Sequence, residues 1–133
     1  MKFLRYFENK NFFDEEEFDF EEFDEEDWDI KFKLYCDDKG ISLSVTELWI
    51  NNKGFKSLKG LNNFTNLYLL FCPNNQLTDI EGLDKLKNLE KLYCYNNNFS
   101  EEYKDYIIEY CRNNHIELSI REHYIIPKEG LRR

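Results

Sequence analysis

The sequence predicts an α/β solenoid: a short parallel sheet of about three leucine-bearing repeats, with an N-terminal hairpin cap and a C-terminal helix-plus-strand cap. Three observations lead there. Setting Val45, Leu67 and Leu89 beneath one another brings Leu48, Leu70 and Leu92, then Ile50, Cys72 and Cys94, then Phe55, Leu77 and Phe99 into columns at a spacing of 22 residues. In the same register Gly60 coincides with Gly82, and Asn66 with Asn88. A unit this short cannot close a core alone, so each must bury its apolar side against the next. The third observation is how charge is distributed. The net charge is −9, but residues 14–29 hold twelve carboxylates and no Lys or Arg, while residues 30–133 carry fifteen basic and fourteen acidic groups. The repeats are nearly neutral, and the acidity is one block ahead of them.

The 133 residues suit one domain with a modest core. We divide it into an acidic and aromatic arm and cap over 1–44, repeats with a capping helix and strand over 45–121, and a tail over 122–133. Residues 1–13 read as a short amphipathic helix, with Phe3, Leu4, Tyr6 and Phe7 able to share a face. The arm that follows carries Asp14, Glu15, Glu16, Glu17, Asp19, Glu21, Glu22, Asp24, Glu25, Glu26, Asp27 and Asp29, interleaved with Phe18, Phe20, Phe23 and Trp28. Like charges at every helical neighbour oppose a helix, and strand pairing is opposed in the same way. Ile30, Phe32, Leu34 and Cys36 then alternate with Lys31, Lys33 and Tyr35, which predicts a strand; Asp37-Asp38-Lys39-Gly40 predicts a turn, and Ile41-Ser42-Leu43 a returning strand. Such a hairpin would shield the open end of the first repeat.

The repeats themselves read Leu67-Tyr68-Leu69-Leu70-Phe71-Cys72-Pro73-Asn74-Asn75-Gln76-Leu77 and Leu89-Glu90-Lys91-Leu92-Tyr93-Cys94-Tyr95-Asn96-Asn97-Asn98-Phe99. This pattern resembles the leucine-rich repeat family, in the short 22-residue class found in internalins and phosphatase regulatory subunits. The likeness covers about half the chain. It implies that Leu48, Leu70 and Leu92, and the column two residues on, point inward from a short strand. It also implies that Asn75 and Asn97 satisfy backbone groups where the chain leaves the sheet. Lys53 stands in that asparagine column of the first repeat, which predicts a distorted first turn eased by Gly54.

After Phe99 the pattern changes. Ser100 followed by Glu101 and Glu102 signals a helix start, and Tyr103, Tyr106, Ile107, Tyr110 and Cys111 recur at helical spacing. Asn113-Asn114 can end that helix, and residues 115–120 supply a further strand. The tail, with Tyr124, Ile125, Ile126 and Pro127 before a basic end, is expected either to pack on that strand or to mediate pairing.

The four cysteines lack zinc or CxxC spacing and read as free buried thiols. Met1-Lys2-Phe3-Leu4-Arg5-Tyr6 lacks the apolar run of a signal peptide, and no stretch approaches a membrane span, so the expected location is the cytoplasm.

Catalysis is not expected. His115 and His123 flank the last strand without a placed nucleophile, and no phosphate loop, metal cluster or nucleotide fingerprint is present. We expect no cofactor and no metal; the ordered loop of a calcium site is missing. Direct nucleic-acid binding is opposed by the acidic block, and Lys85, Lys87 and Lys91 form only a small cluster.

The resemblance implies instead that the outward side chains of the strands bind a protein partner. There Trp49, Phe71 and Tyr93 form one column, with Tyr68, Leu69 and Tyr95 beside it. An exposed aromatic strip is a candidate contact surface; alternatively, aromatics of the chain's own arm cover it. A second functional reading makes the arm an acidic mimic of nucleic acid that blocks the basic channel of a nucleic-acid-binding protein or nuclease. The residues leave the oligomeric state open.

Overall fold

The computed structural model describes residues 28–122 and 124–127. The expected helix over 1–13, the arm from Asp14 to Asp27 with Phe18, Phe20 and Phe23, and residues 128–133 lie outside the described residues; Trp28 and Asp29 are described in their backbone alone.

The chain runs through helix α1 (Trp28–Lys39), strand β1 (Glu47–Trp49), a 3-10 turn (Leu61–Asn63), β2 (Leu69–Phe71), a second 3-10 turn (Leu83–Lys85), β3 (Lys91–Tyr93), helix α2 (Glu101–Asn113), β4 (Glu117–Arg121) and β5 (Tyr124–Ile126). The strands form one sheet in chain order. β1 to β4 are parallel, with Glu47, Leu69, Lys91 and Glu117 in register, and β5 returns antiparallel on β4. The first three strands therefore repeat every 22 residues, whereas β4 follows four residues late, because α2 replaces the tight 3-10 turn of the earlier units.

Leu48, Leu70, Leu92 and Leu118 point into the core from the middle of the sheet, and Ile50, Cys72 and Cys94 follow two residues on. Phe55, Leu77 and Phe99 close the other side of each turn, and Leu58 with Ile80, Leu61 with Leu83, and Phe64 with Leu86 form three further buried columns in the same register. Each such side chain contributes about 1.5–3 kcal/mol by leaving water. The four cysteines are free and buried; burial pushes the thiols of Cys36, Cys72 and Cys111 up to about 12 and that of Cys94 well above the ordinary range.

The chain leaves the sheet through a left-handed asparagine in each unit, Asn52, Asn74 and Asn96, at φ 58°, 62° and 58°. Asparagine tolerates this region better than other residues with a Cβ. The next residue in two units does more. Asn75 Nδ2 donates to the carbonyls of Ile50 (2.9 Å) and Cys72 (3.1 Å), while its Oδ1 accepts from the N–H groups of Lys53 and Phe55, both at 3.0 Å. Asn97 repeats the arrangement one unit on, with Cys72 and Cys94 carbonyls and the Leu77 N–H. Each amide thus serves its own unit and the one before. Lys53 has no earlier unit of this kind to reach, and its Nζ lies 5.6 Å from the centre of the Tyr35 ring on α1. The first turn does differ from the others: Gly54 adds a second left-handed residue at φ 73°.

The N-terminal cap corrects the expectation of a hairpin over residues 30–44. Residues 28–39 are helical, and Phe32, Tyr35 and Cys36, at helical spacing, face the core, with Phe32 and Tyr35 edge-on to Phe55. Ile30, read as an inward strand residue, is 47% exposed, whereas Lys31 is 1% exposed because it precedes Tyr35 by one turn. The apparent turn at Asp37-Asp38-Lys39-Gly40 is the helix end. Gly40 (φ 68°) donates to the Asp37 carbonyl and Ile41 to that of Cys36, the paired bonds of a glycine-terminated helix. At the other end Ser100 Oγ accepts from Tyr103 N–H to start α2, and the same pair of bonds ends it at His115, left-handed at φ 58°: His115 N–H donates to the Arg112 carbonyl and Ile116 N–H to that of Cys111.

Gly60 and Gly82 introduce the two 3-10 turns at φ 103° and 88°. A Cβ on Gly82 would lie 2.8 Å from Asn62 Cβ of the preceding unit, whereas one on Gly60 would meet nothing within 4 Å. Gly60→Ala should therefore cost about 1–2 kcal/mol, from backbone strain alone, and Gly82→Ala at least about 1 kcal/mol more, from overpacking; urea denaturation of the two variants checks the difference, and equal costs would contradict so close a stacking. In the same native protein a thiol reagent such as dithionitrobenzoate should label no cysteine until unfolding exposes them.

Candidate partner-binding face

Alternation along a strand sends Leu48, Leu70, Leu92 and Leu118 inward and their neighbours outward. Parallel pairing in register then sets equivalent outward residues side by side: Glu47, Leu69, Lys91 and Glu117 in one row, and Trp49, Phe71, Tyr93 and Ser119 in the next. The first three members of the second row are aromatic. Trp49 and Phe71 have ring centres 4.6 Å apart, Phe71 and Tyr93 5.8 Å, and Tyr95 stands edge-on to Phe71 at 6.5 Å and 84°. Trp49 is 56% exposed and the other rings are half-buried. The structure thus brings Trp49, Phe71, Tyr93 and Tyr95 into one contiguous array. Tyr68 joins it through Glu47, which accepts from Trp49 Nε1 at 3.1 Å and from the Tyr68 hydroxyl at 3.3 Å. Leu69 does not belong to the exposed set: it is 7% exposed, and an outward position on a strand flanked on both sides has become a buried one.

The polar partners of the rings were not apparent in the sequence. Tyr93 donates a 2.5 Å hydrogen bond to Glu117 Oε2 across the β3–β4 step. That bond to a carboxylate, followed by partial burial, pushes the Tyr93 phenol up to about 12. A second polar row runs along the turns: Asn96 Nδ2 donates to Asn74 Oδ1 at 2.8 Å and to Glu122 Oε1 at 3.2 Å.

The aromatic row ends at Ser119, which is buried and small. There β5 supplies Tyr124 and Ile125, and together with Phe71, Tyr93, Tyr95 and Ser119 these side chains bound a groove of about 440 Å³. Neither Ser119 nor β5 was readable as part of this face, because the four extra residues of the last unit break the 22-residue count. The acidic arm cannot be related to the face, since residues 14–27 lie outside the described residues. Among the described residues no cluster of three or more His, Cys, Asp or Glu could hold a metal ion, and no helix is long and apolar enough to cross a membrane.

The Tyr93–Glu117 pair has a readable pH signature. A raised phenol pKa means that the bond's stabilisation is complete below the unfolded value near 10 and is lost as pH rises from there through about 12. Replacing the carboxylate in Glu117→Gln leaves an acceptor and removes the charge. Ultraviolet phenolate titration should then show one tyrosine shifting down toward 10, and an unchanged titration would contradict the contact.

Comparison with known proteins bears on the same strands. No curated protein and no solved structure matched the chain. Residues 65–106 do match the family model for leucine-rich repeats, in two copies, a span that runs from just before β2 into α2. The match supports leucine-rich repeats as the family of this stretch, and such repeats are in general non-enzymatic modules that mediate protein–protein interaction.

Proposed function

We propose that this chain is a non-catalytic protein-binding module, a small leucine-rich repeat solenoid of the 22-residue class, whose partner contacts the strip of Trp49, Tyr68, Phe71, Tyr93 and Tyr95. The observation that carries the proposal is the unbroken contact from Trp49 through Phe71 to Tyr93 and Tyr95 on the outward side of the sheet, with the indole left largely in water. Aromatic residues of this kind dominate interface energetics, since they bury large areas for few rotatable bonds. Parallel strands fix their backbones, and Glu47 and Glu117 hold the indole and phenol edges, so little ordering remains to be done on binding.

The test is affinity capture with the full chain, followed by dissociation-constant measurements on the protein identified. Trp49→Ala should weaken binding at least about tenfold, Glu109→Ala on the exposed side of α2 should leave it unchanged, and salt should have little effect. Binding indifferent to Trp49→Ala but steeply weakened by salt would overturn the strip and point to the acidic arm instead.

A further inference from the structure

We propose that the groove where the aromatic row meets β5 takes a cationic side chain, of lysine or arginine type, presented by the partner. This rests on the protein-binding reading and names the chemistry that reading leaves open.

Four of the six residues that bound the groove are aromatic: Phe71, Tyr93, Tyr95 and Tyr124. They are not stacked in one plane. Phe71 and Tyr93 are tilted by 45° to each other, and Tyr95 stands at 84° to Phe71, so ring faces and edges enclose the space from different directions. The missing ring at Ser119 is what makes room; had the column continued with an aromatic residue, it would have filled the groove. An apolar side chain could enter such a space, but two features favour a cation. First, ring faces carry the negative end of the aromatic quadrupole and attract a cation within about 6 Å. Second, Glu117 lies two residues before Ser119 on the same side of β4, with its carboxylate against the Tyr93 hydroxyl. By accepting that hydrogen bond it polarises the neutral phenol and raises the electron density of the Tyr93 ring, which makes the ring a better cation acceptor, and it sets a carboxylate against a residue that bounds the groove. In the sheet Lys91 stands opposite Glu117 and Arg121 opposite Tyr124, and neither forms an ion pair with Glu117 among the described residues. A lysine or arginine also brings an aliphatic stem that can lie against Ile125.

The probe is tetramethylammonium chloride, with tert-butanol as a neutral molecule of similar shape and sodium chloride to match ionic strength, each titrated into the full chain while aromatic side-chain NMR signals are followed. Saturable shifts of the Tyr93, Tyr95 and Tyr124 rings with tetramethylammonium, and none with tert-butanol, are the expected result. Glu117→Gln, which retains an acceptor for Tyr93, should weaken the response about fivefold, and Tyr124→Leu on exposed β5 should weaken it similarly. A capped peptide with a central lysine should likewise shift these signals, and its norleucine counterpart should not. Equal responses to the cation and the alcohol, or no saturable response to either, would overturn the proposal. If the cation response is absent while Trp49→Ala still abolishes partner binding, the cationic occupant is wrong and the strip stands. With a cation response but no Trp49-dependent partner, the occupant stands and the strip falls.

Discussion

Everything in this structure hangs on how the chain is allowed to leave a buried sheet. A strand of three residues ends with backbone donors and acceptors pointing into a region shared by two neighbouring units, and a buried, unmade hydrogen bond costs about 1–3 kcal/mol. Asn75 answers four such groups with one amide, and Asn97 repeats the solution in the next unit. Because the asparagine reaches back to the preceding unit, it also sets the spacing between units. Strand register, the stacking of Leu48, Leu70 and Leu92, and the alignment of outward side chains all inherit that spacing.

The aromatic face is a by-product of this regularity as much as of its own residues. Strand spacing of about 4.8 Å brings rings at equivalent positions into contact distance without any long-range adjustment. The rings shield one another, and the two carboxylates that anchor their polar edges come from the adjoining outward row. Where the repeat length changes at α2, the register continues but the residue type does not. Ser119 interrupts the aromatic row, and the antiparallel return of β5 turns the interruption into a concavity.

Much of this was legible from the chain because a fixed period carries its own alignment. The columns through Leu48 and Ile50 were visible directly, and those through Leu58, Leu61 and Phe64 stand in the same register. The N-terminal cap departs from the expected hairpin for a physical reason. Ile30, Phe32, Leu34 and Cys36 alternate like a strand, while the helical face consists of Phe32, Tyr35 and Cys36, and the period changes meaning once Tyr35 is counted as a core residue. Gly40 carried the stop signal, since a glycine just past a helix is its commonest terminator. For the binding face, the ring column was legible and its carboxylate partners were not. Glu47 and Trp49 are only two residues apart on β1, but the contacts of Glu47 with Tyr68 and of Glu117 with Tyr93 join residues 21 and 24 apart and depend on side-chain geometry across the sheet, which no local pattern encodes.

The backward reach of the asparagine amide gives the array a polarity. Asn75 and Asn97 each complete the exit turn of the unit before their own, and Lys53, in the same column of the first unit, follows a helix instead of another such turn. An added copy of the middle segment would therefore arrive carrying the group its upstream neighbour requires, and would offer its downstream neighbour the same task as before. Lengthening by whole duplications is compatible with this chemistry, whereas loss or gain of a few residues inside a unit is absorbed only at the C-terminal end, where a helix has replaced the tight turn.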